Sequence, residues 1–273
     1  MAKPNTLQKP AAPKHPTIAQ NHEPMVLVQD KVPEYLQKTP GRGSENVGTD
    51  DLVIPRLEIV QALSPAAKRG DPGYVDGAQA GMLTNSVSRV LYGDHVVVVP
   101  VYYMKQYLVW RDRKQAPGES DREYASRPTT GFFGAFYTMG EASERVEQEG
   151  GAAAHIVIID TPQHLCLLLS GTGDTEEIMV SMPRTKAKVS RQWNSMVRMV
   201  GGDRFSRVYK VGTGLQKNAK GDFYNFDIKP MGFPSHGLYK QAEELYNKVS
   251  SGAHRVVMDV SNMEPSGGVD TEM

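Results

Sequence analysis

Between residues 184 and 220 the chain carries Arg184, Lys186, Lys188, Arg191, Arg198, Arg204, Arg207, Lys210, Lys217 and Lys220 against a single acid, Asp203. Guanidinium and ammonium groups at this density are the chemistry of phosphate recognition, because each contact neutralises a backbone charge and releases counterions. Tyr209 and Phe223 lie within or just beyond the same stretch, and Tyr107 and Trp110 end an earlier aromatic run. Exposed rings beside cations form a platform on which bases stack while phosphates pair with Lys and Arg.

A helix must position the first part of this series. Pro183 near the start and Gly201-Gly202 at the end bracket a helix over 183–200. At about 100° per residue, Arg184, Lys188, Arg191 and Arg198 fall within about a quarter of the circumference. Val189, Trp193, Met196 and Val200 lie opposite and supply a packing face. Lys186 falls towards that apolar side. The helix lacks the interspersed Asp and Glu of ordinary surface helices.

Two strands, Arg204 to Val211 and Asp222 to Lys229, are expected to follow, joined by a loop containing Gly212, Gly214 and Gly221. Alternation groups Phe205, Arg207 and Tyr209 on one face. It also groups Tyr224 with Phe226 as core, opposite Phe223 and Lys229. Tyr102, Tyr103, Tyr107 and Trp110 run into Arg111, Arg113 and Lys114, which either extend the basic surface or form one sheet's core with a charged end.

Other chemistry finds little support. The chain has no P-loop, dinucleotide fingerprint or nucleophile elbow. The seven histidines show no metal-ligand spacing to one another or to Cys166. Asp222 with Asp227-Ile-Lys229 lacks the separation of a nuclease core, and Asp112, Asp121 and Glu123 resemble ordinary surface acids. Gly131-Phe-Phe-Gly-Ala-Phe136 lacks the basic residue that leads the aromatic string of RRM domains. The sequence therefore predicts no catalytic residues, no metal and no cofactor.

Lys plus Arg number 31 and Asp plus Glu 31, so the balance is zero because charge is segregated, with acids gathered at Glu141 to Glu149 and near the end. Hydrophobic residues make up 39% and charged residues 23%, the composition of a globular domain. Cys166, set in an apolar run, reads as a buried, inert thiol. No stretch approaches the ~20 apolar residues of a membrane span, and the first residues lack the apolar core of a signal peptide. An intracellular protein is expected.

Residues 1–49 read as a disordered or loosely docked arm, 50–260 as a single β-rich domain, and 261–273 as a flexible acidic tail. Strands are expected at Leu52–Leu63, Ala80–Asn85, Val96–Arg111, Glu177–Met182 and His254–Val260. A hairpin is expected to turn at Asp160-Thr-Pro162 between Ala153–Ile159 and Gln163–Ser170. Helices are expected near Gly140–Gly150 and Tyr239–Val249 besides the basic one. The class is α+β and β-rich. An OB-fold-like, partly open barrel with an inserted amphipathic helix satisfies the pattern, as do other β-rich architectures.

Val32-Pro-Glu-Tyr-Leu36, Gly43-Ser-Glu-Asn-Val-Gly48 and Asp50-Asp-Leu-Val-Ile-Pro-Arg-Leu57 resemble the opening of a group of tailed-bacteriophage proteins. Val180 to Asn194 resembles a later segment of the same group, and the resemblance runs from about residue 30 to 250. Some members are associated with phage DNA replication or recombination, and phage single-stranded DNA-binding proteins are the characterised class nearest to them. The resemblance implies a non-enzymatic protein that coats single-stranded DNA in the cytoplasm of the infected host. It also implies an acidic tail that recruits phage or host replication proteins; here Asp259, Glu264, Asp270 and Glu272 make a sparse one, ending in Met. Oligomerisation is compatible with this role. A virion or assembly component, or an inhibitor of a host protein, would use the same basic surface.

Overall fold

The computed structural model describes residues 53–111, 120, 122, 131–151, 155–170, 174–218 and 221–251. All of them belong to the compact unit Val47–Met273. The N-terminal arm, Arg113, Lys114, Lys220, the expected strand at His254–Val260 and the acidic tail lie outside the described residues.

The β-branched and aromatic run after Gly93 forms β4 (His95–Arg111), a single strand of 17 residues. Its length lets it pair with three partners. Strand β6 (Ile156–Leu169) follows it from Val97↔Leu169 to Arg111↔Ile156. Strand β8 (Val208–Asn218) pairs with its start, and β5 (Phe132–Phe136) with its end. Pro100 does not split the strand. It sits at a register shift against β6, where its missing N–H disturbs the ladder least and the bulge bends the sheet.

Strand β7 (Thr175–Ser181) pairs with β6, and β9 (Gly221–Gly232) with β8, giving the order β7-β6-β4-β8-β9 with every pair antiparallel. Strands β8-β4-β6-β7 are thus in Greek-key order, the long connection from β7 to β8 carrying helix α2 (Ala187–Val200). Short strands β1 (Leu57–Ile59), β2 (Leu83–Asn85) and β3 (Leu91–Gly93) make a second sheet. Helices α1 (Met139–Gln148) and α3 (His236–Ser250) complete the α+β, β-rich fold.

Among the described residues β7 and β9 do not pair, so no closed barrel forms. Residues 55–61 reach both edges instead. Arg56 bridges to Met179 of β7, whose N–H donates to the Pro55 carbonyl at 2.8 Å. At the other edge, Gln61 donates through Nε2 to the Tyr224 carbonyl at 2.8 Å and accepts from the Tyr224 N–H at 2.9 Å. The Tyr224 ring lies on Gly81, where a Cβ would stand 2.6 Å from Cε1, and Gly81 has φ +94°, so this position requires glycine.

Over β4 and β6 the large sheet is packed on both faces. Val98, Cys166, Val180 and Val211 pack with Trp193 of α2 and Leu57 of β1 on one side. Val99, Leu165 and Leu167 pack with Ala242 and Leu245 of α3 on the other. Burial pushes the Cys166 thiol up to about 12, as an inert core cysteine requires.

Several expectations are corrected. Asp160-Thr-Pro162 is not a turn but the middle of β6, because β4 offers a continuous template and Lys105↔Pro162 stays in register. Gly212 and Gly214 lie within β8 rather than in a loop, since β8 and β9 stay paired as far as Asn218↔Gly221. Strands β3 and β5 were not anticipated: β3 is three residues long, and β5 owes its state to the β4 edge. Among the described residues, no helix is long and apolar enough to cross a membrane.

Candidate functional site

Helix α2 divides as its sequence predicts. Val189 and Trp193 are buried and Met196 packs against the same core, whereas Val200, at 41% exposure, escapes at the helix end. Lys188, Arg191 and Arg198 are exposed on the opposite side. None of the three has an ion-pair partner among the described residues. At 1.5 Å per residue they span roughly 15 Å of helix. Ser195 stands between Arg191 and Arg198, its hydroxyl donating to the Arg191 carbonyl at 3.0 Å.

An aromatic layer anchors this helix. The Trp193 indole stacks on His164 of β6 at 4.5 Å and meets Tyr209 edge-on at 5.7 Å. His164 meets Tyr103 at 5.2 Å. Arg204 donates to His164 Nδ1 at 2.6 Å and to Asn194 Oδ1 at 2.9 Å, with its guanidinium 5.4 Å from the Tyr103 ring centre. A guanidinium only donates, so Nδ1 accepts and Nε2 carries the proton, donating to Ser190 Oγ at 2.8 Å. Burial first, then the Arg204 charge, hold the His164 pKa well below its usual value, and the ring is neutral.

Other predicted cations go elsewhere. Arg204 is part of this buried network, and desolvation lowers its pKa. Arg184 and Lys186 occupy a 3-10 turn, not the first turn of the α-helix. Arg184 is half-buried. The Lys186 ammonium sits 5.4 Å from the Phe226 ring centre, and burial lowers its pKa to about 8 despite Glu58 nearby. Lys186 thus lies towards the apolar side, where the wheel places it, and neither it nor Arg204 joins the basic surface expected of the series.

In the sheet, alternation separates what sequence placed together. Tyr209 and Val211 face the α2 core, so Lys210 points to the other side, opposite Lys229, which pairs with Asp227 at 2.8 Å. Arg207 precedes the strand and lies 5.3 Å from the Phe233 ring centre. Lys217 is exposed near the hairpin tip, opposite Asp222. Lys220 lies outside the described residues.

Among the rings, Tyr209 is fully buried and Trp110 is 8% exposed against Phe132, so neither presents a face for stacking. Both fill the core because their strands are covered on that side. Phe223 and Tyr107 are half-buried, with Lys105 Nζ 5.7 Å from the Tyr107 ring centre. Phe226 is core as expected, and Tyr224 packs against it. The His164–Ser190–Arg204 network was not anticipated. Its signal in the sequence was a histidine opening an otherwise apolar run.

Residues 23–255 match the family model for the Pam3 phage gp34-like protein. The chain belongs to this family. The match covers Val32–Leu36, Gly43–Gly48 and the segment through Asn194, so the phage resemblance of those motifs holds. No curated protein matches the chain, and no solved structure does. The family description names a phage protein and states no activity.

Proposed function

We propose that this member of the phage gp34-like family is a non-enzymatic single-stranded DNA-binding protein acting in DNA replication or recombination in the host cytoplasm. The observation that carries the reading is the row Lys188, Arg191 and Arg198, exposed and without ion-pair partners among the described residues on a rigidly anchored helix. Unpaired cations bind a polyanion without first breaking an ion pair.

The strand order supports a finer reading, an open OB-type barrel. A Greek key of β4, β6, β7 and β8, a helix crossing from β7 to β8, and β9 hairpinned onto β8 are the parts of that fold. The segment 55–61, touching both edge strands, stands where direct strand pairing would close the barrel.

Fluorescence anisotropy of a labelled oligo-dT across a salt series tests the function. With three to five phosphate contacts, the log–log slope is expected at about −2 to −4. An affinity unchanged between low and high salt would overturn the reading.

A further inference from the structure

In OB barrels, oligonucleotides pass over the face of the second and third strands. The corresponding strands here are β6 and β7, and the middle of their outer side is buried by the chain itself. Leu165, Leu167 and Met179 are buried in one cluster with Ala242 and Leu245 of α3. Tyr239 and Tyr246 of α3 pack on Phe205 at 5.0 and 5.7 Å, Tyr246 also meets Tyr102 at 6.1 Å, and the Tyr239 hydroxyl donates to Asp203 at 2.5 Å. A helix held by apolar burial, ring contacts and a charge-assisted hydrogen bond is part of the domain's structure. A strand of DNA cannot share that face with it.

The surface of α2 has the opposite character. It carries no acidic residue, its cations recur at three- and seven-residue spacing, and its one large ring, Trp193, is fully buried beneath it. Such a surface offers charge to phosphates and no aromatic face to bases.

Accepting single-stranded DNA as the ligand, we infer that its backbone lies along α2, held by phosphate contacts to Lys188, Arg191 and Arg198, and does not cross the outer face of β6 and β7. The binding surface is thereby moved from the sheet to the helix that follows it.

The full chain is tested with labelled oligo-dT at several salt concentrations. Lys188→Gln/Arg191→Gln/Arg198→Gln is expected to flatten the log–log slope by about 2 and to weaken binding about 100-fold at 0.1 M salt. Arg191→Gln alone, safer for folding, is expected to weaken it about fivefold. Lys240→Gln/Lys248→Gln, on the helix that packs on β4 within the cluster burying the outer side of β6 and β7, is expected to match wild type. Thermal melts by circular dichroism establish that each variant is folded. Wild-type affinity in the folded triple variant, or a loss confined to the α3 variant, overturns the inference while leaving DNA binding intact. Failure of the unmodified protein to bind oligo-dT overturns the functional reading itself.

Discussion

Helix α2 and the hairpin β8–β9 both carry closely spaced cations, yet they dispose of them differently. In the helix, a period of 3.6 keeps Lys188, Arg191 and Arg198 on one side and Trp193 on the other, so the charges remain together and, among the described residues, without ion-pair partners. In the hairpin, a period of 2 sends Lys210 and Lys217 to opposite faces, and neighbours claim most of the rest: Asp227 takes Lys229 and Phe233 takes Arg207. A basic run becomes one surface on a helix and is dispersed in a sheet. Counting charges along a sequence overlooks this difference.

The sharpest way to break the contrast is to remove what fixes the helix. Trp193→Ala deletes a fully buried indole that contacts both His164 and Tyr209, and should cost about 3–5 kcal/mol in urea unfolding. Arg204→Ala should cost about 1–3 kcal/mol in the same measurement, because it leaves the buried Nδ1 of His164 without a donor. Arg191→Ala, a cation on the free face, should stay within about 0.5 kcal/mol of wild type. Equal losses from the two arginines would remove the distinction between structural and free cations.

His164 sharpens the comparison through pH. Its folded pKa lies well below the ordinary value of about 6.5, so below that pH the unfolded chain binds a proton that the folded protein refuses. Its contribution to stability is therefore full above about pH 6.5 and declines as pH falls towards the folded pKa. Melting temperatures measured between pH 7.5 and 5 should fall, and His164→Gln should reduce the slope. The smallest effect is expected from Lys186→Met. Its ammonium is already turned onto Phe226, so affinity for oligo-dT should not change.

Much of the fold was legible because local and tertiary preferences agree. The β4 run is β-branched and aromatic, and α2 has Pro183 before it, glycines after it and a divided wheel. Reading failed where a neighbour decided the outcome. Pro162 signals a turn locally, yet continuous pairing of β6 with β4 keeps it extended. Tyr209 and Trp110 look like stacking rings until the covering layers are known, and burial is a property of packing that spacing does not contain. The free row on α2 could be read from the wheel. The capture of Arg204 by His164 joins residues 40 apart in sequence, and no local pattern announces it.

The amide of Gln61 has a consequence for how the molecule behaves among copies of itself. Strand β9 borders the large sheet, and unpaired backbone groups along such a border invite the strand of another molecule. Gln61 occupies both backbone groups of Tyr224, and the Asn225 side chain accepts from the Phe226 N–H at 2.9 Å. Pro230 has no N–H to offer further along. The middle of β9 is thus already engaged by side chains, which guards a crowded population of this protein against edge-to-edge aggregation.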